Sequence, residues 1–236
     1  MQRTSKTTGR RHPGRPNRSE TDGALLLLQA AQSTFANHGF EAASLRQIAS
    51  AAGLDAALVI HRFGSKGALW NAVIERQALY LAPFLAQFEE LQTQTDTPIQ
   101  SRLETVFRQM VAMIFGEPEC GMLIARTSSE RGDKLKVLAD KLLRPTRDAL
   151  HPLFVEAVEA NVIRKQSLEM LNFIILNAVT MSVPCWNVLG YLEDDFQNQE
   201  QIKERLAQFL IINFIENPQS RISRKGKHVC GVKTKG

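Results

Sequence analysis

The residues of this chain whose types and spacing could do chemistry lie mostly between Ser44 and Lys66, in the stretch SLRQIASAAGLDAALVIHRFGSK. What they offer is binding. Ser44 and Arg46 are suited to hold phosphates or to reach the edge of a DNA groove. Ala56, Ala57, Ile60 and His61 are suited to face base edges, the small apolar ones against thymine methyls and His61 as a donor to a phosphate or base acceptor. Catalytic arrangements are missing. The chain has no glycine-rich phosphate loop, no Gly-x-Ser-x-Gly and no paired histidines at metal-ligand spacing. His12, His38, His61, His151 and His228 are scattered. No catalytic residue, metal ligand set or cofactor is therefore expected, and the chain does not read as an enzyme.

The elements that must position these side chains follow from local signals. Ser44, with Gln47 three residues on, is a capping box that satisfies amides left free at a helix start. Leu45, Ile48, Ala49 and Ala52 then form one apolar helical face. Gly53 ends that helix, because glycine adopts the left-handed conformation without steric cost. Leu54 is the apolar residue of the turn, and Asp55 caps a second helix over 56–62, whose Val59 and Phe63 reach back to the core. Two short helices joined by a tight turn make a helix-turn-helix, with the second helix placed to read base edges. The same pattern also occurs in all-helical proteins that never touch DNA.

The wider string separates these alternatives. Ile48-Ala49-x-x-Ala52-Gly53-Leu54 is followed by Phe63-x-Ser65-Lys66-x-x-Leu69, and Ala30-Ala31-x-x-x-Phe35-x-x-x-Gly39-Phe40 stands upstream. Over about residues 24–75 the chain closely resembles the N-terminal domain of the TetR/AcrR family of bacterial transcription regulators. The resemblance implies an all-α protein with an N-terminal three-helix DNA-binding domain and a larger C-terminal helical domain for ligand binding and dimerisation. It also implies that Lys66 contacts a backbone phosphate. Two positions depart from the family pattern: Ile60 stands where a phosphate-holding tyrosine is usual, and Leu58 where a threonine or similar small residue is usual.

Charge is distributed unevenly. Residues 1–18 carry six Lys or Arg and no acid, residues 221–236 carry six more and no acid, and the remainder is net −7. Residues 19–66 sum to −1. Phosphate neutralisation supplies most non-specific DNA affinity, so a nearly neutral head needs the basic arm. Within that arm Pro13-Gly14-Arg15-Pro16 lies beside Arg10 and Arg11 and resembles the Gly-Arg-Pro core of minor-groove AT-hook segments. An extended arginine suits the narrow groove of A·T-rich DNA, so Arg10, Arg11 and Arg15 join the expected DNA contacts. The alternative for the arm is a disordered solubilising tail, which is also the reading for 218–236.

The basic start followed by Ala24-Leu25-Leu26-Leu27-Leu28 mimics a signal peptide, but Glu20 and Asp22 interrupt it and the apolar run stops at Gln29. Ala24, Leu27, Leu28, Ala31 and Phe35 form a helical stripe instead. Cys120, Cys185 and Cys230, odd in number and widely spaced, fit a reducing compartment. A cytoplasmic protein is expected.

Beyond Lys66 the periodicity stays helical. A helix over 66–91, distorted near Pro83, links head to body. Thr97-Pro98-Ile99-Gln100 signals a helix start capped by Thr97. Further helices are expected over 120–131, 133–161 (irregular at Pro145 and Pro152), 167–189 and 198–215. Residues 171–192 lack any charge and are long enough to span a bilayer. Asn172, Asn177, Thr180, Ser182 and Asn187 argue instead for a helix buried between its own domain and a second subunit. By the resemblance, 167–189 and 198–215 build the homodimer interface, where a charge at Val179 is expected to separate the subunits.

Phe107, Met110, Met113, Met122, Phe173, Met181 and Trp186 are soft, bulky residues able to line an adaptable pocket for a small hydrophobic effector. Ordinary core is the alternative for such a stripe. The division expected is a basic arm (1–18), a helix-turn-helix domain (19–66), a helical effector and dimer domain (67–217) and a basic tail (218–236). The function expected is a ligand-released repressor that binds a palindromic operator on double-stranded DNA as a dimer and has no membrane association. The rival is a helical interaction or membrane-associated protein whose helix-turn-helix no longer reads DNA.

Overall fold

The computed structural model describes residues 18–192 and 198–215, in which every regular element is helical. The elements are α1 (Arg18–Ala42), α2 (Leu45–Ala51), α3 (Ala56–Phe63), α4 (Lys66–Thr93), α5 (Ile99–Gly116), α6 (Pro118–Thr127), α7 (Asp133–Leu138), α8 (Arg144–Glu159), α9 (Leu168–Leu192) and α10 (Gln199–Phe214). A π-helical turn, Ala139–Leu143, joins α7 to α8. The arm with Arg10, Arg11 and Arg15, and the tail with Cys230, lie outside the described residues.

The head is built from α1, α2, α3 and the start of α4. Leu27, Ala31 and Phe35 of α1, Ile48 and Ala49 of α2, Val59 of α3 and Leu69, Trp70 and Val73 of α4 are all buried. These are the periodic apolar positions of four amphipathic helices, so the stripe read at 24–35 is core. Trp70 meets Phe35 and Phe40 edge-on, with ring centroids 5.3 and 5.7 Å away. Edge-to-face pairing of this kind adds about 0.5–1.5 kcal/mol beyond area burial. α1 breaks at Gly39, whose φ of 82° and ψ of 166° are open only to glycine. That break turns the chain into α2.

In the body, α4 packs on α8 and α5, α6 packs on α1 and α9, and α10 packs on α5. Pro83 sits inside α4 without ending it. Two expectations need correction here. Helix α5 begins at Ile99 with no side-chain cap from Thr97; the Thr97 carbonyl instead accepts a bond from the buried Arg102 guanidinium at 3.0 Å. The irregular helix expected over 133–161 is an unbroken helical run from Asp133 to Glu159, with the π-helical turn Ala139–Leu143 just before Pro145. Helix α6 runs from Pro118 to Thr127 and so starts before and ends before the expected 120–131.

Candidate nucleic-acid interface

α2 and α3 are each positioned by a cap that the sequence signals. The Ser44 hydroxyl accepts the Gln47 N–H at 3.1 Å, and the Asp55 carboxylate accepts the Ala57 N–H at 2.7 Å. Each such cap is worth roughly 1 kcal/mol. Gly53 has φ 67°, and the Leu54 N–H donates to the Ala49 carbonyl at 2.9 Å, which closes the turn. Val59, fully buried, anchors α3 to the core. The opposite face of α3 carries Ala57, Leu58, Ile60 and His61, all exposed. Ser44, Arg46 and Gln47 are exposed at the start of α2.

The residues singled out in the sequence therefore divide. Ser44, Arg46, Ala57, Ile60 and His61 are each exposed, whereas Ala56 is partly buried against the core. Lys66 is engaged elsewhere, which corrects the expectation that it is free for phosphate. Its ammonium donates to the carbonyls of Phe40, Glu41 and Ala43 at 2.9, 3.2 and 3.1 Å, and lies 4.5 Å from the centre of the Phe40 ring. An ammonium has three donors, and here all three close the end of α1.

Below the head lies a polar junction. Gln32 of α1 and Gln77 of α4 are buried, and Glu117 occupies the single residue between α5 and α6. Glu117 accepts from the Gln32 amide (2.8 Å), the Gln77 amide (3.2 Å) and Arg76 (3.3 Å). Arg76 and the Gln77 amide also donate to the Gln32 carbonyl oxygen. Close by, the Tyr80 hydroxyl donates to the Met113 carbonyl at 2.8 Å. Burial, then Glu117 and Cys120, pushes the Tyr80 hydroxyl above its ordinary value. Burial, then Glu117, pushes the Cys120 thiol up to about 12, so it is an inert thiol. A second junction is made by Lys134 of α7, whose ammonium lies 4.4 Å from the Phe40 ring centre. Sequence reasoning missed both junctions. A signal existed for the first: Gln77 interrupts the apolar stripe Leu69, Trp70, Val73, Ile74 and Leu81 of α4.

The residues expected to line an effector pocket divide between core and surface. Phe107, Met110 and Met113 are buried in the core of α5, and Met122 and Trp186 pack partly buried against it. Phe173 and Met181 stand on the outer face of α9, 61% and 41% exposed. Of the seven, Phe173 alone borders a groove of about 330 Å³ between α8, the π-turn and α9, which is lined by Leu143, Leu150 and Leu176 with Arg144, Arg147 and Glu169. Val179 also points inward, at 1% exposure, so it belongs to this subunit's own core.

Together, the fold and this surface define an all-helical protein with a capped helix-turn-helix head seated on a larger helical body. Residues 27–73 match the model of the family described as bacterial regulatory proteins, tetR family. The match covers the helix-turn-helix head, from within α1 to the start of α4. A curated relative, the HTH-type transcriptional regulatory protein RaaS of Mycobacterium tuberculosis, is 31% identical over 138 residues, 58% of this chain and 58% of its own length. The chain thus spans less than two thirds of that relative. The HlyIIR mutant carrying a linker at its residues 169–186 shares the fold with a TM-score of 0.65 at 19% identity, over 84% of this chain and 98% of that one. AibR in complex with isovaleryl coenzyme A and operator DNA aligns with a TM-score of 0.62 at 17% identity, over 80% of this chain and 96% of that one.

Proposed function

We propose that this protein is a homodimeric, effector-responsive regulator of transcription that binds a palindromic operator, most simply as a repressor released by a small hydrophobic ligand. The observation that carries the reading is the exposed face of α3 beside Ser44 and Arg46, in a segment matched by the tetR family model. Arg10, Arg11 and Arg15 of the arm supply the phosphate or minor-groove contacts that a nearly neutral head lacks.

Dimerisation is supported by what α9 and α10 leave uncovered. Met170, Phe173, Ile174, Met181 and Val188 form an exposed stripe on α9, and Phe209 and Ile212 stand out on α10. α9 is long and apolar enough to cross a bilayer, but its inner face packs on α6 and α5 and its outer face is a stripe, which suits a second copy better than lipid. Two such subunits bring two α3 helices to half-sites about one helical turn apart. The effector class rests on the groove beside Phe173 and on the acyl-coenzyme A ligand of AibR. Effector binding acts through a difference in affinity between two states of the dimer.

Selection of binding sites from random duplex DNA with the full-length protein, at near-physiological salt, tests the reading. An enriched palindrome with A·T-rich flanks is expected. Absence of any enrichment by a folded protein refutes it.

A further inference from the structure

We propose that Leu58 and Ile60 read C5-methyl groups of pyrimidines at the two rims of each half-site, whether the base is thymine or 5-methylcytosine. The proposal rests on the reading that α3 enters the major groove of a duplex.

Successive residues of an α-helix are about 100° apart. With Val59 buried, this places Ala57 and His61 at the centre of the exposed face of α3 and sets Leu58 and Ile60 on either side of it. Leu58 is 37% exposed and Ile60 54%, so neither is held by the core. These two places hold the departures from the family pattern, Ile60 where a tyrosine is usual and Leu58 where a threonine or similar small residue is usual. A hydroxyl at such a rim holds a phosphate; an aliphatic side chain has no donor to give one.

Seated against phosphates or base donors and acceptors, Leu58 and Ile60 would strip water from polar groups and return no hydrogen bond, a net cost. Among the groups that base pairs present in the major groove, the thymine C5-methyl is the apolar one. Two exposed aliphatic side chains flanking a helix centre of Ala57 and His61 are therefore complementary to methyls rather than to the hydrogen-bonding groups of the base edges. 5-Methylcytosine carries the same methyl at the same ring position. The head would accordingly distinguish methylated from unmethylated cytosine at those two positions.

The test uses the full-length protein and an operator obtained by selection from random duplex DNA. Each thymine is replaced singly by deoxyuridine, which removes the methyl and leaves every hydrogen-bonding group. Affinity is expected to fall about fourfold at two rim positions per half-site and to hold elsewhere, the fold-change that corresponds to ~0.8 kcal/mol for one methyl-sized group. Where cytosine occupies such a position, methylating it is expected to tighten binding by about the same factor. Leu58→Ala should abolish the deoxyuridine effect at one rim and Ile60→Ala at the other; both residues are exposed, so neither truncation opens the core. Operator binding that ignores deoxyuridine everywhere, or deoxyuridine effects that persist unchanged in both variants, overturns the proposal while DNA binding stands. Failure to select any operator overturns the DNA-binding reading itself, and this proposal with it.

Discussion

Replacing Lys66 by methionine keeps the length and apolar stem of the side chain and removes its charge. In the structure that charge serves three carbonyls, those of Phe40, Glu41 and Ala43, and lies over the Phe40 ring. A hydrogen bond from a charged donor contributes about 1.5–3 kcal/mol when its partner is dry, and an exposed cation over a ring about 0.5–1 kcal/mol. Lys66 is only half-buried and Glu41 is exposed, so water recovers part of this when the ammonium goes. A net loss on the order of 2–3 kcal/mol remains. Urea unfolding followed by the fluorescence of Trp70, with Trp186→Phe as background, reads it directly, because Trp70 packs on Phe40 within the head. The midpoint should fall, and the salt dependence of operator affinity should keep its slope. A phosphate-holding lysine gives the reverse pattern: unchanged stability and a slope lower by about one. That pattern would refute the assignment of Lys66 to the end of α1.

Glu117→Ala should destabilise the protein by about 2–4 kcal/mol, because the buried amides of Gln32 and Gln77 lose a shared acceptor, with Glu117→Gln recovering part; denaturant midpoints check both. In the intact protein the Cys120 peptide should stay unmodified by iodoacetamide at pH 8 and react once the chain is unfolded in urea, as peptide mass spectrometry would show. The Cys120 thiol is pushed from its ordinary 9.0 to about 12 in the folded chain, so the unfolded chain gives up this proton first. Its contribution to stability is whole below pH 9.0 and is lost as pH rises toward about 12, which a Cys120→Ala comparison of unfolding across that range measures. Phe173→Glu and Ile212→Glu should yield folded monomers by sedimentation, whereas Val179→Asp, which puts a charge into a core position, should unfold the subunit. A folded Val179→Asp monomer would contradict the inward placement.

The head was legible residue by residue because its signals are local. Ser44 with Gln47, Gly53, and Asp55 ahead of the 56–62 run each act within four residues on the chain's own backbone, and each does so in the structure. The all-helical class was legible for the same reason, since a 3.6-residue periodicity survives whatever the helices pack against. Where the expectations went astray, the deciding contact was distant. Lys66 matches a family position known for phosphate, but its fate is set by carbonyls more than twenty residues earlier, exposed by a break at Gly39. The Met and Phe set looked like one pocket because periodicity cannot tell a helix's inner face from its outer one. Packing sent Phe107 into the core and left Phe173 outside.

What this sequence determines by itself is the all-helical class, the caps that start α2 and α3, and the turn that pairs them. What only the tertiary structure decided is which polar side chains meet across elements. Gln32, Gln77 and Glu117 lie far apart along the chain and are ordinary as residues; burial at one junction makes them partners, because a buried amide must find an acceptor. The same holds for Lys134 on Phe40 and for the outward turn of the apolar stripe on α9. Local free energy chooses helices. Burial chooses their faces, and that choice depends on every other element at once.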